Sequence, residues 1–345
     1  MIKVLIVEDS PSAASLISYI LSSDPAIEVI GTAISGEEAI RMTDKLNPEV
    51  ISMDINLPGI DGFEATRRIM ETQPVPIVIV SSVYNTKEMA TSFKAIEAGA
   101  MAILGKPPGI GHPDFNKSAQ ELIWTVKAMS EIKAMKRRQK KESPVCKAPE
   151  TGTARHEIRL IAIGASTGGP PALQTILSKL PKDIGVPVLV VQHIARGFAH
   201  GFSEWLSQTT GFPAHVADNN ETPLPGHLYI APSNFHMIIQ NEKIRLTNDP
   251  PESGLRPAVS HLFRSVAMTL RHKAAGVLLT GMGRDGAEEL KLMKDNGAVT
   301  IAQDSETSVV HGMPGEAIRI GGATYVLPDY QIAEVLTGLV KRKGL

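Results

Sequence analysis

Cysteine is nearly missing: Cys146 is the single one in 345 residues, which excludes an internal disulfide and a cysteine-based zinc site. An excess of either charge is missing too. Lys and Arg number 35 against 36 Asp and Glu, a net charge of −1, so no bulk positive charge points to nucleic acid. The longest apolar runs, such as 75–80 and 186–191, fall far short of the about 20 residues a bilayer demands, and no membrane insertion is expected. The N-terminal Met1-Ile-Lys-Val-Leu-Ile-Val passes directly into Glu8 and Asp9, without the longer apolar core and small-residue cleavage site of a signal peptide. The expectation is a cytoplasmic protein. No internal repeat is visible. What is present is globular composition, 43 % apolar and 21 % charged, which excludes disorder throughout. At about 150 residues per domain, the length suggests two domains.

The first part of the chain alternates short apolar runs, at 3–7, 27–33, 50–54, 76–81 and 102–105, with amphipathic stretches at 11–21, 36–46, 61–70 and 86–98. This alternation predicts a doubly wound five-stranded parallel sheet, closed by a helix over 116–134. A basic run, Lys136-Arg-Arg-Gln-Lys-Lys, and a polar, proline-bearing stretch to His156 follow. That is linker composition, and the cations suit a solvated helix end. A second α/β region begins near 159. Its expected strands are 160–164, 187–192, 276–280 and 299–302, its helices 170–180, 197–207, 259–270, 287–295 and 331–340, with an inserted hairpin at 235–240 and 243–247. The expected organisation is 1–125, a helix end and linker over 126–156, and a second α/β domain with a mainly parallel sheet over 157–345.

Polar residues collect at the C-terminal ends of the first five strands. Glu8 and Asp9 follow the first, Asp54 ends the third, Ser81 ends the fourth and Lys106 follows the fifth. In open parallel sheets the ligand crevice lies at that edge. Three converging carboxylates would repel one another without a hard divalent cation between them, and magnesium suits because it also holds phosphate oxygens. Ser81 and Lys106 would bind further phosphoryl oxygens, and Asp54 would be the nucleophile forming an acyl phosphate. Residues 1–125 resemble a response-regulator receiver domain in Val7-Glu8-Asp9-Ser10, in Met53-Asp54-Ile-Asn56-Leu-Pro58-Gly59-Ile-Asp61-Gly62, and in Lys106-Pro107. The resemblance implies that Asp54 is the phosphoacceptor, that Glu8, Asp9, Asp54 and the Asn56 carbonyl bind Mg2+, that Ser81 and Lys106 are the switch residues, that the Lys106–Pro107 bond is cis, and that a histidine kinase is the phosphodonor.

The second region opens with Leu160-Ile-Ala-Ile-Gly-Ala-Ser166-Thr-Gly-Gly-Pro170-Pro, a strand, a glycine-rich turn and a helix with Pro in its first turn. The turn lacks the phosphate-binding lysine of a P-loop, and Ser166 occupies the second glycine of the dinucleotide fingerprint. Gly164-Ala-Ser166-Thr-Gly168 formally matches a nucleophile elbow. A serine nucleophile needs a base, and the base an orienting acid. His193 follows the strand at 187–192, and Asp285 lies in Leu279-Thr-Gly-Met282-Gly-Arg-Asp285-Gly-Ala, so all three fall on one sheet rim. Taken alone, Asp285 reads equally well as a helix N-cap. An α/β-hydrolase order would need a histidine after Asp285, for which only His311 qualifies; Ser166, His193, Asp285 is the better-supported order.

These loops, with Leu224-Pro-Gly-His-Leu-Tyr-Ile-Ala-Pro and the 303–318 stretch, resemble the catalytic domain of the chemotaxis protein-glutamate methylesterases. The resemblance implies a Ser166–His193–Asp285 triad with Thr167 and Met282 lining the oxyanion region. It further implies demethylation of receptor glutamates and deamidation of receptor glutamines on the cytoplasmic helices of methyl-accepting chemoreceptors. No cofactor is expected at the esterase site, and amides at the start of the Pro170 helix are expected to help hold the oxyanion. Departures from the family pattern fall at 194–199, at Ser233-Asn234 and at His311. The rivals are a receiver with a non-enzymatic output such as DNA binding, for which no helix-turn-helix signal is present, and a receiver-regulated esterase with another substrate.

Overall fold

The computed structural model describes residues 1–81, 93, 95–131 and 157–340. The basic run after 135, the linker stretch to 156, Cys146 and most of the expected helix at 86–98 lie outside the described residues. Tertiary contacts divide the chain into two compact units, Met1–Lys141 and Glu142–Leu345. No helix among the described residues is long and apolar enough to cross a membrane.

In the first unit, strands β1 (Ile2–Val7), β2 (Ile27–Ala33), β3 (Val50–Met53), β4 (Ile77–Ser81) and β5 (Ala102–Gly105) form one sheet in the order β2-β1-β3-β4-β5. Every pairing is parallel. The inner strands β1, β3 and β4 read as largely apolar runs because helices cover both faces of a parallel sheet; Val4 to Val7 and Ile77 to Val80 are buried accordingly, whereas the edge strand β2 carries the exposed Glu28. Helices α1 (Pro11–Ser22), α2 (Gly36–Leu46) and α3 (Gly62–Thr72) start where the sequence supplies a cap, and α4 (Phe115–Glu131) closes the unit. Ser10 accepts from Ala13 N ahead of Pro11, Ser35 from Glu38 N, and Asp61 from Glu64 N. The chain leaves β1 for β2 on one side and reaches β3 on the other, so the strand order reverses at the β1/β3 boundary, where ligands bind in open α/β sheets. The Lys106–Pro107 bond, expected cis, is trans; the cis bond among the described residues is Arg256–Pro257.

The second unit holds a seven-stranded sheet in the order β14-β13-β12-β6-β7-β9-β8. Its strands are β6 (Leu160–Ala165), β7 (Val188–Gln192), β8 (Ala214–Val216), β9 (Leu228–Ile230), β12 (Ala274–Leu278), β13 (Val299–Gln303) and β14 (Tyr325–Leu327). All its pairings are parallel. The expected hairpin is present as β10 (His236–Gln240) and β11 (Lys243–Thr247), antiparallel to each other. Around the sheet lie α5 (Gly169–Lys179), α6 (Phe198–Thr210), α7 (Val259–Thr269), α8 (Ala287–Asp295), α9 (Met313–Arg319) and α10 (Asp329–Val340). Strand β12 ends at Leu278, two residues short of the expected end, which frees Thr280 to turn across the sheet rim. The order reverses between β6 and its neighbours β7 and β12, and the loops leaving those three strands meet there.

Candidate active site and phosphoacceptor site

Ser166, His193 and Asp285 converge on the reversal point because each follows a central strand. Ser166 N donates to Thr280 O at 3.0 Å, and His193 N donates to Ala165 O at 2.9 Å, so main-chain bonds across the β6 end fix both loops. Gln192 reinforces this: its Nε2 donates to the carbonyls of Ser166 and His193, each at 2.8 Å. The turn demands glycine at two places. Gly168 has φ of +79°, and a Cβ there would lie 2.4 Å from Val309 Cβ; a Cβ on Gly281 would sit 2.7 Å from Ser166 Cβ. Left-handed backbone at the first and backbone pressed on the serine at the second are both closed to larger residues.

The imidazole of His193 donates from Nε2 to Oδ2 of Asp285 at 2.8 Å, in a pair whose side chains are only 11 % and 5 % exposed. Asp285 also accepts Val259 N at 2.6 Å and Ser260 N at 3.0 Å. These are the first amides of α7, whose N-cap is Ala258, a residue with no side-chain cap to offer. Asp285 therefore does cap a helix, though not its own: α8 begins after Gly286. Burial pushes the Asp285 carboxyl up, but the bonds from His193 and the two amides outweigh it and hold the group below its ordinary value. It stays an ionised acceptor, which fixes the proton of His193 on Nε2 and leaves Nδ1 free to take one. The half-buried Ser166 hydroxyl makes no hydrogen bond among the described residues.

The amides expected at the helix start are fewer than the sequence suggested. Gly169 N donates to Ser166 O at 2.8 Å, and positions 170 and 171 are prolines without N–H groups. The amides of Thr167, Gly168 and Met282 donate to no main-chain carbonyl among the described residues. Thr280, wholly buried, organises this rim: its Oγ1 donates toward Thr167 O (2.9 Å) and Val310 O (3.2 Å) and accepts from Val310 N (2.9 Å). Its own N donates to Gln303 Oε1 at 2.7 Å. Sequence reasoning missed Thr280 and Gln303 because nothing in their spacing marks a bond across 23 residues. His311 pairs with Gly281 in a parallel bridge, with Nδ1 3.3 Å from Ser308 Oγ. Among the described residues no carboxylate hydrogen-bonds its ring, whereas Asp285 bonds that of His193.

In the first unit Glu8 and Asp54 are buried and Asp9 is exposed, and oxygens of the three lie within 4.8 Å of one another. Lys106 Nζ donates to Asp54 Oδ2 at 2.8 Å and to Glu8 Oε1 at 2.9 Å. Burial raises the Glu8 carboxyl above its usual range. Burial works against the Lys106 ammonium, yet its bonds to Asp54 and Glu8 prevail and raise it. Three clustered hard oxygen donors fit a divalent cation of the magnesium type. Ser81 ends the neighbouring strand, buried, with its carbonyl accepting Lys106 N at 3.0 Å. Asn56 is exposed on the loop after β3.

Residues 161–336 match the CheB methylesterase family, and residues 4–112 match the response regulator receiver domain. The chain belongs to the CheB methylesterase family. A relative from Nitrosospira multiformis, named protein-glutamate methylesterase/protein-glutamine glutaminase, is 53 % identical over all of this chain and 98 % of its own length. One of the same name from Geobacter metallireducens is 50 % identical over 99 % of this chain and all of its own. The crystal structure of the Thermotoga maritima CheB methylesterase catalytic domain is similar with a TM-score of 0.51 and 40 % identity, covering 53 % of this chain and 99 % of that domain. CheB membership accounts for both units, the receiver region and the esterase region, in this order.

Proposed function

We propose that this protein is a phosphorylation-regulated protein-glutamate methylesterase and protein-glutamine glutaminase acting on the cytoplasmic helices of methyl-accepting chemoreceptors. Residues 1–125 serve as receiver, 126–156 as helix end and connector, and 157–345 as catalytic domain. The observation that carries the reading is the buried His193 Nε2–Asp285 Oδ2 bond beside the Ser166 turn.

Ser166 Oγ attacks the ester carbonyl carbon of a glutamate side chain while its proton passes to Nδ1 of His193. Asp285 balances the imidazolium. The amides around Thr167 and Met282, with that of Gly168, receive the oxyanion. Collapse breaks the C–OCH3 bond, His193 returns the proton, and methanol leaves behind a Ser166 acyl-enzyme. Water, giving its proton to Nδ1, then attacks the acyl carbon and releases the glutamate carboxylate and free serine. With glutamine the same sequence expels ammonia. No cofactor takes part at this site.

In the receiver, Asp54 accepts the phosphoryl group from a histidine kinase, and Ser81 and Lys106 bind its oxygens. Glu8, Asp9, Asp54 and the Asn56 carbonyl would hold Mg2+, which supplies charge neutralisation for the phosphoryl group when bound. The decisive experiment incubates the purified protein with methyl-labelled chemoreceptor membranes. Released labelled methanol, and ammonia from receptors carrying glutamine, is the expected result; turnover of small esters with receptors untouched would replace the receptor by another substrate.

A further inference from the structure

We propose that His236 is a positioning residue for the esterase reaction, holding Asp285 in register with His193 through the first turn of α7. The inference rests on the methylesterase reading for its kinetic consequence, while its structural content stands apart from it.

His236 opens β10 and is fully buried. Its Nδ1 accepts the amide of Ala258 at 3.2 Å, and its Nε2 faces the carbonyl of Pro250 at 3.2 Å. An amide N–H can only donate and a carbonyl can only accept, so the ring must be neutral with its proton on Nε2. Ala258 is the N-cap of α7 and carries no capping side chain. Three consecutive amides at this helix start therefore find acceptors outside the helix: Ala258 in His236, Val259 and Ser260 in Asp285. The Asp285 oxygen that takes Val259 N is also the one that takes His193 Nε2. One rigid turn thus links the two histidines. If Ala258 N lost its acceptor, a buried donor would be orphaned at the cap, and the turn could relieve that only by moving the two amides that anchor the carboxylate.

The surroundings keep the ring in its accepting form. His261, in the same first turn of α7, stacks on it at 3.6 Å between centroids and 14° between planes. The Nε2 of His261 lies 3.0 Å from Glu252 Oε2, and Arg264 holds that same carboxylate. Arg256 and Asp249 face His236 from the loop before α7. Burial and His261, with a smaller push from Arg256, hold His236 below the ordinary imidazole value against the opposing pull of the Pro250 carbonyl and Asp249.

The test compares His236→Asn, His236→Gln and His236→Leu in the full-length protein. Asn places an oxygen where Nδ1 stood and restores the acceptor; Gln reaches only the Nε2 position; Leu offers neither. Expected are a kcat lowered by about 10- to 100-fold in Gln and Leu with KM within about twofold, and an Asn variant within about threefold of wild type. The downfield proton resonance of the His193–Asp285 bond should persist in Asn and vanish or exchange rapidly in Gln and Leu. That resonance needs no substrate, so a wild type without methylesterase activity would sink the functional reading while leaving this inference to the resonance alone. Should Gln and Leu not fold, amide exchange in the wild type decides: Ala258, Val259 and Ser260 should open as one unit. Equal loss in Asn and Gln, wild-type kcat and resonance in all three, or Ala258 exchanging about 100-fold faster than its two neighbours would overturn the proposal.

Discussion

Nε2 of His193 donates to Oδ2 of Asp285 at 2.8 Å, so Nδ1 is the ring nitrogen left to accept a proton. In the serine-protease arrangement the two ring nitrogens have the opposite assignment. The chemistry survives the exchange, because either nitrogen of a neutral imidazole accepts a proton when the other is held as a donor. Nitrogen NMR of the resting enzyme should find His193 protonated at Nε2 and bare at Nδ1; the reverse tautomer would contradict the assignment. In Asp285→Asn, an NH2 turned toward Nε2 would move the ring proton onto Nδ1. The expected loss in kcat is about 10²- to 10⁴-fold, the upper figure applying where the tautomer reverses.

His311 is the alternative base that chain order alone left in play. Its ring stands over Gly315, where an added Cβ would lie 2.9 Å from Cδ2, and burial lowers its basicity. His311→Ala should keep activity within about tenfold, whereas His193→Ala should lose about 10³-fold or more. Steady-state methanol release from both variants checks the ranking.

Asp285 also ties acid stability to the active site. Its folded pKa lies below the ordinary carboxylate value, so its stabilisation is complete above about pH 4 and disappears as pH falls through the depressed value. Asp285→Ala should destabilise the second unit by about 1–3 kcal/mol at neutral pH, since buried amides lose their acceptor. The gap should close as pH falls through that depressed value. The fluorescence of buried Trp205, in a Trp124→Phe background, reports this unit; a gap that widens in acid would contradict the linkage.

Much of this was legible beforehand, and the exceptions share a cause. The inner strands β1, β3 and β4 of the first sheet and the central strands β6, β7, β12 and β13 of the second are largely apolar runs, as burial on both faces requires. Strands β8, β9 and β14 have three residues each, too few for any periodicity. Helix α9 has seven residues and opens on Met-Pro-Gly, which reads as loop. At the site, the convergence of Ser166, His193 and Asp285 on one sheet rim could be read because each lies in a loop that follows a strand. The Asp285 bonds to Val259 and Ser260 could not, since a helix start 25 residues upstream announces no partner. The Gly169 amide that was to serve the oxyanion is spent inside the turn, a main-chain detail that side-chain identities do not encode.

Phosphorylation should change esterase activity if the receiver gates the serine cleft. A coupling of about 1–3 kcal/mol corresponds to roughly 5- to 150-fold control. A small-molecule phosphodonor with Mg2+ should raise wild-type turnover within that range and leave Asp54→Ala at its basal rate. A fragment beginning at Glu157 should outpace the unphosphorylated full chain. Equal rates in all of these would mean that the receiver does not gate the cleft and serves instead to localise the enzyme.

The central claim is that Ser166 is the nucleophile, and one comparison tests it most directly: methanol released from methyl-labelled receptor membranes by the wild type and by Ser166→Ala. Removing Oγ removes the atom that forms the acyl-enzyme, so the variant should lose nearly all turnover, and adding His193→Ala or Asp285→Asn should cost little more. Methanol release from Ser166→Ala at close to the wild-type rate would contradict the account.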